Sequence, residues 1–157
     1  VIGNYVHDNG DAGLALMESF NADVSENTFE NNKYGVRLSV GCADNVFHDN
    51  IFTGATKYNV YTYEGSDSPS VVDSGRPKDN IVRDNIIIGG GKESVKLTAA
   101  DGTQIINNAF DDPTKIRFED NMGTVVSGNT GLDGVKLRVT EGTCFGAGSD
   151  AEYIPVC

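Results

Sequence analysis

Six residues recur at the same place in six short apolar segments: Ala15, Arg37, Tyr61, Lys96, Arg117 and Lys136. Each stands between two flanking residues of GLAL (13–16), GVRL (35–38), NVYT (59–62), SVKL (94–97), KIRF (115–118) and GVKL (134–137). Four of the six are cationic, although the 157-residue chain holds only twelve Lys and Arg. Arg138 and Tyr63 lie two residues further along their segments. A row of cations beside an aromatic ring suits the binding of an extended anionic polysaccharide, with Tyr61 or Tyr63 as a platform for a sugar ring. A plainer explanation stands beside this one. Outward strand positions accept Lys and Arg because their stems cover apolar surface while the charge stays in water. Like charges on neighbouring strands repel, so a chain rich in carboxylates had an easier choice at these positions.

Proton-transfer chemistry on a uronate needs a cation to neutralise the sugar carboxylate, a base and an acid. The candidate bases are His7 and His48. They fall at different distances from the repeated asparagines described below, so they should occupy different corners and not converge. No catalytic residue is assigned. No Cys/His set has zinc spacing, and there is no phosphate loop or serine-nucleophile motif. GGGKES (89–94) lacks the Asp of a calcium β-roll repeat. Asp111-Asp112 and Glu119-Asp120 could hold at most a weak surface calcium ion, so no cofactor or metal is expected.

The elements that position these residues follow from a repeat. VIGNYV (1–6), VSENTF (24–29), VFHDNIF (46–52), IVRDNII (81–87), IINNAF (105–110) and VVSGNTG (125–131) share an apolar–Asn–apolar form. The asparagines Asn4, Asn27, Asn50, Asn85, Asn108 and Asn129 are spaced by 23, 23, 35, 23 and 21 residues. The long spacing contains a Gly-, Ser-, Pro- and Asp-rich stretch at 64–79, which reads as an inserted loop. The apolar-x-apolar segments alternate with period two, as strands do, and helical spacing is absent. A unit of about 23 residues cannot bury its apolar face alone, but stacked copies can. Asn at a fixed position can form a side-chain ladder along the stack and tolerates the left-handed backbone of a sharp corner. The chain is expected to be all-β: a right-handed parallel β-helix of about six coils over residues 1–140. Residues 141–157 form a C-terminal capping tail.

The net charge is −11 and the pI about 4.4, which disfavours nucleic acid and anionic membrane surfaces as partners. No run of apolar residues is long enough for a membrane span. Three cysteines are too few for a disulfide framework. Cys144 and Cys157 could close a short loop, which would imply an oxidising, secreted or extracellular setting. Cys42 is left over, either as a small buried residue or with a partner elsewhere. The chain starts at Val1, mid-pattern, so upstream coils or self-association at that end is expected to cover the exposed edge.

GLALMES (13–19), NTFENNKYGVRLSVGCADNVFHDNIFTG (27–54) and VYTYEG (60–65) resemble the last coils of poly(mannuronate) C5-epimerases. The resemblance runs in register over residues 1–65 and is looser from 80 to 140. Similar segments occur in pectate-lyase-like proteins and in periplasmic copper-cluster accessory proteins. The family's Asp-Pro-His-Asp catalytic signature is absent, because Asp112-Pro113 is followed by Thr114. The resemblance therefore implies an alginate-epimerase-like fold and a uronate-polymer context, with no catalytic residue carried over. The expectations that follow are three. The chain is part of a secreted, alginate-epimerase-like, carbohydrate-acting protein that binds an anionic polysaccharide, and if an enzyme an epimerase-like isomerase; or a non-catalytic structural or assembly module; or a polysaccharide lyase whose site includes 64–79.

Overall fold

The computed structural model describes residues 1–65 and 74–157. The chain winds through one short strand after another with no helix among the described residues. The first coil holds β1 (Tyr5–His7) and β2 (Ala12–Met17), and the second holds β3 (Asp23–Ser25), β4 (Thr28–Glu30) and β5 (Tyr34–Ser39). The third holds β6 (Val46–His48), β7 (Ile51–Thr53) and β8 (Tyr58–Thr62). The fourth holds β9 (Ile81–Arg83), β10 (Ile86–Ile88) and β11 (Glu93–Thr98), and the fifth holds β12 (Gln104–Ile106), β13 (Ala109–Asp111) and β14 (Lys115–Glu119). β15 (Met122–Ser127) and β16 (Lys136–Val139) make the sixth coil, and β17 (Cys144–Phe145) follows.

Every strand pairs in parallel with its counterpart in the next coil, giving three sheets that share one core. Sheet one is β3-β6-β9-β12-β15-β17, sheet two β1-β4-β7-β10-β13 and sheet three β2-β5-β8-β11-β14-β16. The register stacks like on like. Val24, Phe47, Val82, Ile105 and Val126 line the inside of sheet one. Val6, Phe29, Phe52, Ile87 and Phe110 line sheet two. Val36, Val60, Val95, Ile116 and Leu137 line sheet three. Phe29 and Phe52 stack at 5.1 Å. Burial of these apolar lines, which no single coil could achieve, is the main force holding the stack.

The six predicted asparagines form one continuous ladder at the corner between sheets one and two. The backbone N–H and the side-chain amide of Asn27 both donate to Asn50 Oδ1, at 3.0 and 2.9 Å. Asn4, Asn50, Asn85 and Asn108 repeat this on the next coil, ending at Asn129. The corner's left-handed backbone belongs to another residue. Gly3, Glu26, Asp49, Asp84, Asn107 and Gly128, each just before a ladder asparagine, carry φ between 54° and 69°. The ladder residue itself is spent on hydrogen bonds, so the neighbour makes the bend. Two shorter ladders sit at the other corners, Asn9–Asn32 and Asn45–Asn80.

The 35-residue spacing places its extra length between β8 and β9, as the inserted-loop reading requires. The middle of that 64–79 segment, 66–73, lies outside the described residues. Its return foot is anchored: Gly41 N–H donates to Gly75 O, and the Arg76 guanidinium binds both Asp101 and Asp120. The 141–157 tail continues the stack before it folds over it. β17 pairs with β15, and Phe145 and Tyr153 pack edge-on to Phe118 beneath them. Cys144 and Cys157 are disulfide-bonded across this cap, and Cys42 is a free, fully buried thiol whose Sγ lies 3.0 Å from Ser39 O. Burial pushes that thiol's pKa up, which suits an inert core residue.

Candidate glycan-binding face

Sheet three brings most of the predicted site residues onto one outer face. Ala15 lies opposite Arg37, Arg37 opposite Tyr61, Tyr61 opposite Lys96 and Lys96 opposite Arg117. The line then continues to Arg138, not to Lys136. Lys136 pairs instead with Lys115, two residues earlier on the same face. The reason is the turn at 131–135, which takes Val135 out of the strand, so that the motif GVKL marks the wrong register. Nine of the chain's twelve Lys and Arg lie on this sheet or immediately before its strands: Lys33, Arg37, Lys57, Lys92, Lys96, Lys115, Arg117, Lys136 and Arg138. An acidic chain has thus concentrated its positive charge on one side.

Four tyrosines form a continuous patch on the same face. Tyr61 stacks on Tyr63 at 5.3 Å and on Tyr34 at 5.2 Å, and Tyr58 lies 4.9 Å from Tyr61. Cations sit over these rings: Lys33 5.3 Å and Lys57 5.8 Å from the Tyr34 centroid, and Lys96 5.8 Å from both Tyr58 and Tyr61. Burial, reinforced by the neighbouring tyrosines, pushes the Tyr61 hydroxyl up to about 12, and burial raises Tyr58 as well. Both therefore stay neutral at ordinary pH and can donate hydrogen bonds. Tyr34 and Tyr58 fall outside the apolar-x-apolar motif. The signal for them is Lys-Tyr-x-Val at 33–36 and 57–60, whose lysines are in register because Lys57 N–H donates to Lys33 O.

The central cations are not free. Glu119 accepts from Lys96 at 2.9 Å and pairs with Arg117. Glu93, whose side chain is 5% exposed, lies 3.6 Å from Lys115 and 3.9 Å from Arg117. Arg37 pairs with Asp11 at 2.9 Å. By contrast Lys57, Lys92, Lys136 and Arg138 form no ion pair among the described residues. Burial acts to raise the Glu119 carboxyl, but hydrogen bonds from Lys96 and Thr98 and the charges of Lys96 and Arg117 outweigh it and hold its pKa below the usual value. A depressed folded-state pKa means that the contribution is complete above the ordinary value of 4.5 and is lost as the pH falls below it. Thermal unfolding from neutral to acid pH should therefore show wild type more stable than Glu119→Gln at pH 7, with the gap closing below pH 4.5. A gap that stays constant would contradict this coupling.

The histidines do not join the face. His7 is on sheet two, stacked on Tyr5 and bonded to Asp8. His48 is on sheet one, between Asp23 at 3.0 Å and Asp49 at 2.6 Å. Among the described residues no group of three or more His, Cys, Asp and Glu could hold a metal ion. Glu119 and Asp120 are engaged by Lys96, Arg117 and Arg76. A cavity of about 550 Å³ opens elsewhere, at the last coil, between Leu132, Val135, Leu137 and Tyr153, and contains none of the cations or tyrosines of the sheet-three patch. No helix is long and apolar enough to cross a membrane.

The model of the family described as right handed beta helix region matches residues 1–75. Neither the curated proteins nor the solved structures contain a match to the chain. With that match and three parallel sheets wound about one core, the chain is a right-handed parallel β-helix of about six coils.

Proposed function

We propose that this β-helix binds an extended anionic polysaccharide, such as a uronate polymer, along the outer face of sheet three. The observation that carries the reading is the contiguous Tyr34–Tyr58–Tyr61–Tyr63 patch set among registered cations on an otherwise acidic chain. Tyrosine rings offer flat apolar surface with a polar rim, which matches a pyranose ring and its hydroxyls. Cations spaced by one coil attract a polymer whose charges also repeat. The resemblance of residues 1–65 to alginate epimerases favours a uronate context. The cap disulfide supports an oxidising, extracellular location.

The reading is one of binding. The two histidines lie on other sheets, Tyr58 and Tyr61 are held neutral, and the Glu93 and Glu119 carboxylates are engaged by cations, so the face supplies cations and ring surfaces. The test is affinity electrophoresis or calorimetry on alginate and pectate with a Tyr61→Ala/Tyr63→Ala variant. Loss of two ring platforms should weaken binding about 10- to 100-fold, as for aromatic hot spots elsewhere. Equal retention of the variant and wild type at low salt would refute the proposed face.

A further inference from the structure

We propose that the face selects acidic polysaccharides whose charges are separated by uncharged sugars, over polymers charged on every sugar. This rests on the binding role proposed above and specifies its ligand. The middle of the face already contains its own anions. Glu119 occupies Lys96 and Arg117, and the buried Glu93 lies beneath Arg117 and Lys115. A ligand carboxylate placed there would have to displace Glu119 or sit against two fixed carboxylates, at a cost in repulsion and desolvation. A neutral sugar meets no such conflict. It can exchange hydrogen bonds with the ion-paired groups while a neighbouring sugar stacks on the tyrosines of the preceding coil.

Free positive charge lies on either side of this self-neutralised middle. Lys57 precedes β8, one coil before Glu93 and Lys96, and Lys136 and Arg138 are exposed on β16, one coil after Lys115 and Arg117. At ~4.8 Å per coil, these two sets stand about 14 Å apart along the stack. A polymer that places one anion at each set and neutral units between them meets cation with anion and carboxylate with hydroxyl. The discrimination comes from an element that repels the wrong ligand as well as from those that attract the right one.

The experiment uses one backbone at three charge densities. Polygalacturonate, the same polymer with most of its carboxyls methyl-esterified in a scattered pattern, and the fully esterified polymer are titrated against the intact chain at low salt. The partly esterified form is expected to bind most tightly. Glu119→Gln, which keeps shape but frees Lys96 and Arg117, should bind polygalacturonate about tenfold more tightly than wild type does. Lys136→Ala/Arg138→Ala, both at exposed positions, should weaken the partly esterified polymer about tenfold. Thermal midpoints of both variants check that each remains folded. Tightest binding of wild type to polygalacturonate, or no gain in Glu119→Gln, would overturn the charge-spacing proposal while leaving the binding role intact. No binding of any of the three polymers would overturn both.

Discussion

Asn85→Ala should destabilise the chain by about 3–5 kcal/mol, more than most substitutions do, because it removes buried partners from both neighbouring coils. Asn85 is 1% exposed. Its Oδ1 accepts from the Asn50 backbone N–H and side chain, and its amide donates to Phe47 O, Arg83 O and Asn108 Oδ1. Alanine leaves the buried Asn50 N–H and the Phe47 carbonyl without these partners, and no water reaches them cheaply. For a domain of this size the loss corresponds to a fall in Tm of roughly 6–20 °C. Asn4→Ala is the control. Asn4 makes the same bonds to Asn27 but lies exposed in the first coil, so water replaces what is lost and the change should be under about 1 kcal/mol. Similar losses for the two variants would mean that the ladder does not stabilise the stack by burial of its amides.

Phe118→Ala is expected to cost a further class of stability, about 3–5 kcal/mol, by leaving a cavity beneath the cap. Phe118 is fully buried, with Phe145 at 5.1 Å and Tyr153 at 6.3 Å, both edge-on. It is the ring on which the tail rests. The disulfide between Cys144 and Cys157 holds the same tail and, for a loop of 13 residues, contributes about 3 kcal/mol. The two devices act on one element, so their effects should not add. Denaturant unfolding of wild type and Phe118→Ala, each oxidised and reduced, measures this as a cycle. Amide exchange should show residues 141–157 opening first in the variant. Strict additivity, with uniform exchange, would mean that the cap and the last coil are not coupled through Phe118.

Much of this architecture is legible in the chain because a coil must repeat to bury its core. Asn is costly to bury unless each copy finds its partner, so the spacing of Asn4 to Asn129 reports the coil length directly. The left-handed position was harder to read. It rotates among Gly3, Glu26, Asp49, Asp84, Asn107 and Gly128, residues with little in common except that they precede the ladder. Asn9–Asn32 and Asn45–Asn80 have too few members to stand out as repeats. On the face, the motif GVKL pointed to Lys136, whereas spacing gives Arg138: 21 residues separate Lys96 from Arg117, and 21 separate Arg117 from Arg138. Counting residues was therefore a better guide than matching residue types. The pairing of Glu93 and Glu119 with the central cations could not be read at all. It depends on side chains from successive coils meeting across the sheet, and it neutralises Lys96, Lys115 and Arg117 in what would otherwise be a uniformly basic stripe.

Tyrosine emission offers the most direct measurement of the proposed role, because the chain has six tyrosines and no tryptophan. Three of the six, Tyr58, Tyr61 and Tyr63, are the half-buried rings of the proposed platform, and the buried Tyr34 stacks on Tyr61. Titration with an acidic polysaccharide at low salt should give a saturable change in emission that added salt reverses and that Tyr61→Ala/Tyr63→Ala largely abolishes. Emission that stays unchanged while the polymer reaches millimolar sugar, in wild type and variant alike, would contradict glycan binding on this face.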